Sequence, residues 1–236
     1  KTGAAVDEAS LGRGDLVYKG NRAKWIKFVY GVLARNAHRL TNKSTYDPAK
    51  VIEYVDKSFT SNADNFAVPH AGTSSSDGNF YGPTRNNLAN FRPTKFIVGL
   101  LDGTTFKGVK DPRISLMLAP SPDGKFYGVT PTKVDSTNNT NDPKRIPLLW
   151  GGAPTLAVAS QPGIYIFKDN ADHQIMNYSE LQFMKAEAAF IKGDKPLAYD
   201  AFKKGIIAHM DFCKVSAANR DAYMTSAAVP QAAADL

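Results

Sequence analysis

The chain has 236 residues, of which 43% are hydrophobic and 22% are charged, and its formal net charge is +7. This length supports one sizeable core or two small ones, and the composition is that of an ordinary globular protein. No apolar run approaches the roughly 18 residues that cross a membrane as a helix. The basic excess is modest and spread along the chain, so it indicates a solvated basic surface rather than a dedicated groove for nucleic acid.

Residue types that carry metal or cofactor chemistry are scarce. The single cysteine, Cys213, excludes an intrachain disulfide and a thiolate metal cluster, and we expect it to be a small buried hydrophobe. The four histidines lack the pairwise spacing of a metal site, and no dinucleotide, phosphate-loop, zinc-protease or serine-hydrolase motif is present. The sequence therefore predicts no metal site, no cofactor and no catalytic residue.

The first quarter of the chain is predicted to form a pair of helices. Residues 20–42 carry apolar side chains at helical spacing, with Lys and Arg mainly around the opposite face. After a break, Asp47 is the expected N-cap and Pro48 suits the first position of a second helix at 49–61. The residues expected to face inward are Trp25, Phe28, Val29, Val32, Leu33, Asn36 and Leu40, then Val51, Ile52, Val55 and Phe59.

Residues 62–170 have a different character. They are rich in Gly, Ser, Asn, Asp and Pro, which predicts mostly loops, with one helix at about 93–101 and a hairpin turn at Asp123 and Gly124. A loop region of this length on a helical scaffold is where a binding site is expected. Residues 135–142 hold many oxygen donors, but they lack the ordered spacing of a calcium-binding loop, so an exposed loop is favoured.

Residues 178–210 predict two helices joined by a tight turn at Gly193 and Asp194. Ser179 is the expected N-cap of the first helix, with Gln182 completing a capping box. Small residues recur on the contact face, as in a tetratricopeptide hairpin, where one aromatic side chain fills the gap. A generic hairpin of two helices is the simpler alternative. The expected face residues are Leu181, Met184, Ala188 and Ile191, then Leu197, Ala201, Gly205 and Ala208.

The predicted fold class is therefore mainly α, an αα superhelix of tetratricopeptide-like hairpins with a large loop-rich region. Its predicted parts are a helical pair at 15–61, a loop-rich ligand-binding region at 62–170, a helical hairpin at 171–215 and a tail at 216–236. The first residues contain no start methionine or signal peptide, and the last ones show no closing element. We therefore expect a single domain or a fragment of a larger protein.

Three segments resemble, in the same order, segments of the SusD/RagB-like nutrient-binding proteins. Residues 15–40, DLVYKGNRAKWIKFVYGVLARNAHRL, resemble that family's D-x-x-Y-x-G run and the helix that follows it. The DPR of residues 111–113, followed by an apolar segment and GKFYG at 124–128, resembles its DPR…G-x-Y-x-G run. Residues 176–215, with YSELQFMKAEAAFIKG and AFKKGIIAHMDFCKV, resemble its later helical segment.

The resemblance has departures. Tyr30 and Gly31 stand where an Asn is more usual in the first helix, and His209 stands where a Ser is usual in the last. None of these positions has an obvious chemical role. The family's lipid-anchored cysteine, first helices and later helices have no counterpart in the sequence, so we expect it to be the central portion of a protein about twice as long.

The resemblance also implies a function. Members of this family are lipoproteins on the outer face of the outer membrane of Gram-negative bacteria, where they capture glycans or other nutrients and do not catalyse. They deliver the ligand to a SusC-like TonB-dependent transporter. For this chain, the resemblance implies a cell-surface location, an oligosaccharide or other nutrient ligand, a transporter partner and a lipid anchor outside the chain. It implies no nucleic-acid partner.

Sugar binding needs flat aromatic faces to stack on pyranose rings, and polar side chains to hold the hydroxyl groups. Residues 62–170 supply both. Trp150 is the first candidate, because Gly151 and Gly152 would leave its indole approachable, although a core position is the simpler alternative. The other candidates for the glycan site are Tyr81, Tyr127, Phe91, Asn79, Asn86 and Arg92.

Two other functions fit parts of the sequence. A tetratricopeptide-type scaffold for protein–protein interaction would stack its repeats directly, whereas here about a hundred loop residues interrupt the helices. A glycoside hydrolase needs two carboxyl groups facing each other across a cleft. Glu180 and Glu187 lie near one helix face, but their neighbours are alanine and lysine rather than cleft residues, so we expect the chain not to be an enzyme.

Overall fold

The computed structural model describes residues 8–133, 141–152 and 163–236. Over these residues the chain is mainly helical, as predicted, and it divides into two compact units. The helical unit comprises residues 8–69, 174–209 and 232–236, and the loop-rich unit comprises the described parts of 70–173 and 210–231. The helices are α1 (Glu8–Gly12), α2 (Arg22–His38), α3 (Pro48–Asp56), α4 (Lys95–Leu101), α5 (Ile114–Met117), α6 (Tyr178–Ile191), α7 (Lys195–Phe212) and α8 (Ala217–Met224), and strands β1 (Phe66–Val68) and β2 (His173–Met176) pair in a two-stranded sheet.

The core of the helical unit lies where α2, α3 and α6 pack on one another. Val55 of α3 and Leu181 of α6 are buried there, as predicted. Helix α2 reaches this core through small residues, Gly31 and Ala34. A Cβ added at Gly31 would collide with the sulfur of Met176 and the hydroxyl of Ser58, so the glycine leaves the room that these side chains fill.

The predicted inward face of α2 is wrong in part. Phe28 and Val32 do lie against the core, but Val29, Leu33 and Leu40 are exposed. Apolar residues occur around most of this helix, so periodicity identified the helix without fixing which face is buried. The close approach at its small residues sets the rotation instead.

Helix boundaries follow local capping chemistry. Asp47 accepts a hydrogen bond from the backbone of Lys50 and Pro48 is the first helical residue of α3, as predicted. The predicted N-cap of α6, Ser179, is wrong by two residues. Asn177 accepts the bond from Glu180 N–H at 2.9 Å, and the Ser179 hydroxyl donates to the Asn177 side chain instead.

Helices α6 and α7 make the predicted contact between small residues and one aromatic ring. An added Cβ at Gly205 would lie 2.9 Å from the ring of Phe183, which therefore occupies the space that the glycine leaves. The ring centroid of Phe202 lies 6.2 Å from that of Phe183. Ala188 and Ala201 are buried as expected, whereas Ile191, the last residue of α6, is exposed.

Asp15 organises the turn before α2. Its carboxylate accepts hydrogen bonds from the backbone N–H groups of Val17, Tyr18 and Gly20 and from the indole N–H of Trp25, at 2.7–3.0 Å. Burial opposes ionisation of Asp15, but these four bonds outweigh it and lower its pKa to about 2. The conspicuous Asp, Tyr, Gly and Trp of this segment are therefore structural.

The loop-rich unit has a small apolar core. Val98 and Leu101 of α4 pack there with Ile114 and Leu118. Helix α4 matches the predicted helix but begins at Lys95, where Thr94 caps it. The predicted turn at Asp123 and Gly124 forms, with Ser121 N–H donating to the Lys125 carbonyl at 2.7 Å, but among the described residues no strand flanks it.

The last part of the chain does contain a closing element. Helix α8 lies in the segment that the sequence analysis treated as a tail without one. Ser216 caps its N-terminus by accepting from the backbone of Asn219, and Tyr223 is buried. The helix is short and most of its apolar residues are alanine, which is why its periodicity gave no signal. None of the described helices has the length and apolarity that crossing a membrane requires.

Candidate ligand-binding site

Trp150, the first candidate for a stacking face, is buried. It is 1% exposed, and its indole N–H donates to the backbone carbonyl of Tyr81 at 2.7 Å. Gly151 has a φ of +83° and donates its N–H to the carbonyl of Leu148, so it closes a tight turn beside the indole. The prediction that Trp150 presents a face to a sugar is therefore wrong, and the core alternative holds.

Asn79 is also structural. It is 1% exposed, and its side-chain amide donates to the backbone carbonyls of Ile166 and Lys168 at 2.7 and 3.2 Å. Its side-chain oxygen accepts from the N–H of Tyr81 at 3.2 Å. The prediction that Asn79 binds sugar hydroxyls is wrong, because its polar atoms already hold the loops that carry Tyr81.

Tyr81 lies partly buried within an aromatic cluster. Its ring stacks on His173, with centroids 5.1 Å apart and an interplanar angle of 28°. The edges of Phe80 and Phe167 approach it with centroid distances of 5.5 and 6.5 Å. Because one ring face is stacked and the carbonyl accepts from Trp150, Tyr81 is held in one orientation and offers a ligand only part of its ring.

Phe91 is the most accessible of the predicted aromatic residues, at 57% exposed. Its carbonyl accepts from the N–H of Leu149 at 3.2 Å, which fixes the loop beside the segment of Trp150. Asn86 is exposed in a left-handed backbone conformation at the end of the 3-10 turn Pro83–Arg85. The guanidinium of Arg92 donates to the carbonyl of Asn90 at 3.2 Å.

Tyr127 is partly exposed on a separate loop. Its hydroxyl donates to the carboxylate of Asp123 at 2.9 Å, and this hydrogen bond raises the pKa of Tyr127. The chain just beyond it pairs with the segment before α4, because Val129 N–H donates to the Pro93 carbonyl and Lys95 N–H donates to the Val129 carbonyl. The backbone thus links the loops of Phe91 and Tyr127, whereas no hydrogen bond or ring contact joins Tyr127 to Tyr81 among the described residues.

Two accessible aromatic residues were missed by the sequence analysis. Phe96 is 75% exposed near the start of α4. Phe106 is 39% exposed in the loop that follows. The sequence carries no local signal that separates these two exposed rings from buried ones.

The carboxylates considered for hydrolysis are engaged within the helical unit. Glu180 receives two hydrogen bonds of 2.8 Å from the guanidinium of Arg35, which also donates to the carbonyl of Ile175. Glu187 lies 3.3 Å from the ring nitrogen of His38. Both acidic side chains therefore hold α6 against α2.

The described residues contain no group of three or more His, Cys, Asp or Glu side chains arranged to hold a metal ion. Most of the oxygen-rich segment at 135–142 lies outside those residues. Cys213 is buried beside Tyr165 and Arg113, and burial raises its pKa to about 11, so it is an unreactive thiol at neutral pH.

Comparison with known proteins gives a family and a fold. A family model described as SusD-like_2, "Starch-binding associating with outer membrane", matches residues 3–235. No curated protein matches the chain.

Solved structures with the same fold are about twice as long as this chain. A SusD homologue from Bacteroides fragilis NCTC 9343 superposes with a TM-score of 0.64 at 17% identity, over 93% of this chain and 50% of its own. A SusD/RagB family protein from Bacteroides thetaiotaomicron VPI-5482 superposes with a TM-score of 0.57 at 28% identity, over 93% of this chain and 43% of its own. A chitin-binding protein superposes with a TM-score of 0.58 at 22% identity, over 89% of this chain and 46% of its own.

The likeness to the first and third of these structures shows the fold alone. The family match is stronger, because it extends over nearly the whole sequence and coincides with the helical unit and the loop-rich unit together. The chain belongs to the SusD-like family.

Proposed function

We propose that this protein captures oligosaccharides at the cell surface and delivers them to a SusC-like TonB-dependent transporter, by binding and without catalysis. The observation that carries the proposal is an accessible aromatic side chain, Phe91, on a loop that neighbouring backbone segments hold in place. Membership of a family described as starch-binding supports a glycan as the ligand.

The chemistry follows from the loop geometry. The exposed ring of Phe91 can stack on the C–H face of a pyranose, and this contact removes apolar surface of both partners from water. The amide of Asn86 and the guanidinium of Arg92 can donate to sugar hydroxyls, and the hydroxyl of Tyr127 lies on a loop that pairs with the same segment. Because the loops are tied by backbone hydrogen bonds, little ordering is needed on binding, which favours affinity.

The stacking proposal is tested by removing the ring of Phe91. The protein and its Phe91→Ala variant are screened on a glycan array, and the best ligand is then titrated by calorimetry. We expect affinity to fall by about tenfold, which corresponds to about 1.4 kcal/mol. Phe190→Ala is the matched control, because Phe190 is similarly exposed but lies on α6 of the helical unit. Equal losses in both variants, or binding to no glycan, would refute the proposal.

Absence of catalysis is tested on the same ligands. Incubation with a glycan panel is expected to give no new reducing ends. The engagement of Glu180 with Arg35 supports this expectation, since both carboxylate oxygens already accept hydrogen bonds within the helical unit. Reproducible turnover that disappears in Glu180→Gln, with folding verified by circular dichroism, would overturn binding without catalysis.

Delivery to a transporter is tested in cells that encode this protein. The tagged protein is expected in the outer-membrane fraction, accessible to added protease on intact cells, and it should co-purify with a TonB-dependent transporter after mild solubilisation. The family description "associating with outer membrane" supports this location. Recovery of the protein from the soluble fraction without a transporter would contradict the delivery step.

A further inference from the structure

The exposed aromatic residues around α4 alternate with cations. Phe91 precedes Arg92, Phe96 follows Lys95, and Phe106 precedes Lys107. All three rings are exposed, as are both lysines. We call these six residues the aromatic–cation strip. Over residues 91–107 the chain carries three cations and one carboxylate, that of Asp102.

The backbone folds the last part of this strip back onto α4. Phe96 and Gly99 are three residues apart and so lie on one side of α4. Thr105 donates its N–H to the carbonyl of Gly99 at 3.0 Å, which folds the following loop back onto the helix and carries Phe106 with it. Gly108 closes this loop by donating to the carbonyl of Gly103 at 3.0 Å.

Two carboxylates of the loop-rich unit already have partners in turns. Asp102 accepts from the N–H of Thr104 at 2.8 Å. Asp123 accepts from the N–H of Lys125 and from the Tyr127 hydroxyl, and these bonds lower its pKa. Within the described residues, neither Lys95 nor Lys107 forms a salt bridge. Their positive charge is therefore available to a ligand.

We propose that the glycan bound at this surface is anionic, with carboxylate or sulfate groups that pair with Arg92, Lys95 and Lys107 while the three phenylalanine rings stack on its sugars. This inference rests on the proposed function and makes it more specific. A neutral sugar would leave the cations with nothing to neutralise. Phenylalanine has no polar group of its own, so polar recognition falls to the neighbouring cations.

A matched pair of polymers isolates the charge. Polygalacturonate and its fully methyl-esterified form share a backbone and differ in the carboxylates, and dextran sulfate with dextran provides the same comparison for sulfate. Affinity is measured by calorimetry at low and at moderate salt. We expect at least one anionic polymer to bind about tenfold more tightly than its neutral counterpart, with the difference shrinking as salt screens the charges.

Variants then locate the attraction. The double variant Lys95→Gln with Lys107→Gln is expected to lose most of the preference for the anionic polymer while keeping the affinity for the neutral one. Lys43→Gln is the control, since Lys43 is also exposed and forms no salt bridge within the described residues, but it lies in the helical unit.

The outcomes separate this inference from the proposed function. Equal binding of charged and esterified polymers overturns the anionic ligand and leaves glycan capture standing. A preference that survives in the double variant overturns the role of the strip, because the attraction then comes from the basic surface in general. Binding of none of the polymers, nor of any glycan on the array, overturns both proposals.

Discussion

The interior of the helical unit and the interior of the loop-rich unit are stabilised by different interactions. In the helical unit, apolar side chains pack against small ones, and the shape of Gly31, Ala188 and Gly205 decides how closely the helices approach. In the loop-rich unit, buried polar groups hold the loops in place by donating hydrogen bonds to the backbone of distant segments, as Asn79 and Trp150 do. The helical unit should therefore be sensitive to changes of volume where its helices meet, and the loop-rich unit should in addition be sensitive to the loss of single buried hydrogen bonds.

This difference follows from how each unit satisfies its backbone. Helices pair their own N–H and C=O groups, so their side chains are free to be apolar. Buried loops leave carbonyls without a backbone partner, and side-chain donors must supply one. Loop N–H groups need acceptors in the same way, and Asp169 supplies one. Its carboxylate accepts from both the N–H and the hydroxyl of Thr84 at 2.9 Å.

Trp150→Ala should be the most damaging change to the loop-rich unit. It removes the largest fully buried side chain and leaves a cavity, so we expect stability to fall by about 3–5 kcal/mol. Thermal unfolding followed by near-ultraviolet circular dichroism measures the effect. Trp150→Phe is the control, because it keeps much of the volume and loses the N–H donor to Tyr81. A weaker glycan affinity with unchanged stability would restore the stacking role that the structure argues against.

Asn79→Ala should come next. It leaves the carbonyls of Ile166 and Lys168 without their side-chain donor, and a buried polar group without a partner costs about 1–3 kcal/mol. We expect a loss near the upper end of that range in chemical denaturation, and a shift in the fluorescence or the chemical shifts of Tyr81. Asn90→Ala, at an exposed position of the same unit that has no positive φ, is the matched control and should be nearly neutral in stability. A variant as stable as the wild type would show that packing alone holds these loops.

The sequence predicted the helical unit better than the loop-rich one for the same physical reason. Ala188 and Gly205 are identified as contact residues from the sequence, because helical spacing is a local property. The indole N–H of Trp150 donates a hydrogen bond to a residue 69 positions away, and a local sequence pattern cannot predict such a distant partner. The glycines that follow Trp150 suggest access in the sequence, but in the structure they form a turn. The rotation of α2 was missed for a related cause, since it depends on what lies against Gly31.

Overpacking the helical unit should have an intermediate effect. Ala188 is 0% exposed, so Ala188→Leu forces bulk between helices that are already in contact, and we expect a loss of about 2 kcal/mol. Thermal unfolding by far-ultraviolet circular dichroism is the measurement. Ala23→Leu at the exposed start of α2 is the control and should leave the midpoint nearly unchanged. An unaltered midpoint for Ala188→Leu would mean that close approach of the helices is not what stabilises this unit.

The smallest effect, and the one that depends on pH, should come from Asp15→Asn. The pKa of Asp15 is lowered to about 2 by four hydrogen bonds, while an unfolded chain has its aspartates near the ordinary value of about 4. Between these values the unfolded state binds more protons, so this carboxylate stabilises the fold above pH 4 and its contribution is lost as the pH falls toward 2. The asparagine variant should be less stable at neutral pH, because its amide cannot accept all four donors. The difference in the free energy of unfolding between the wild type and Asp15→Asn, measured by denaturant titration, should decrease as the pH is lowered from 4 to 2. A gap that stays constant over this range would show that the turn before α2 does not depend on the charge of Asp15.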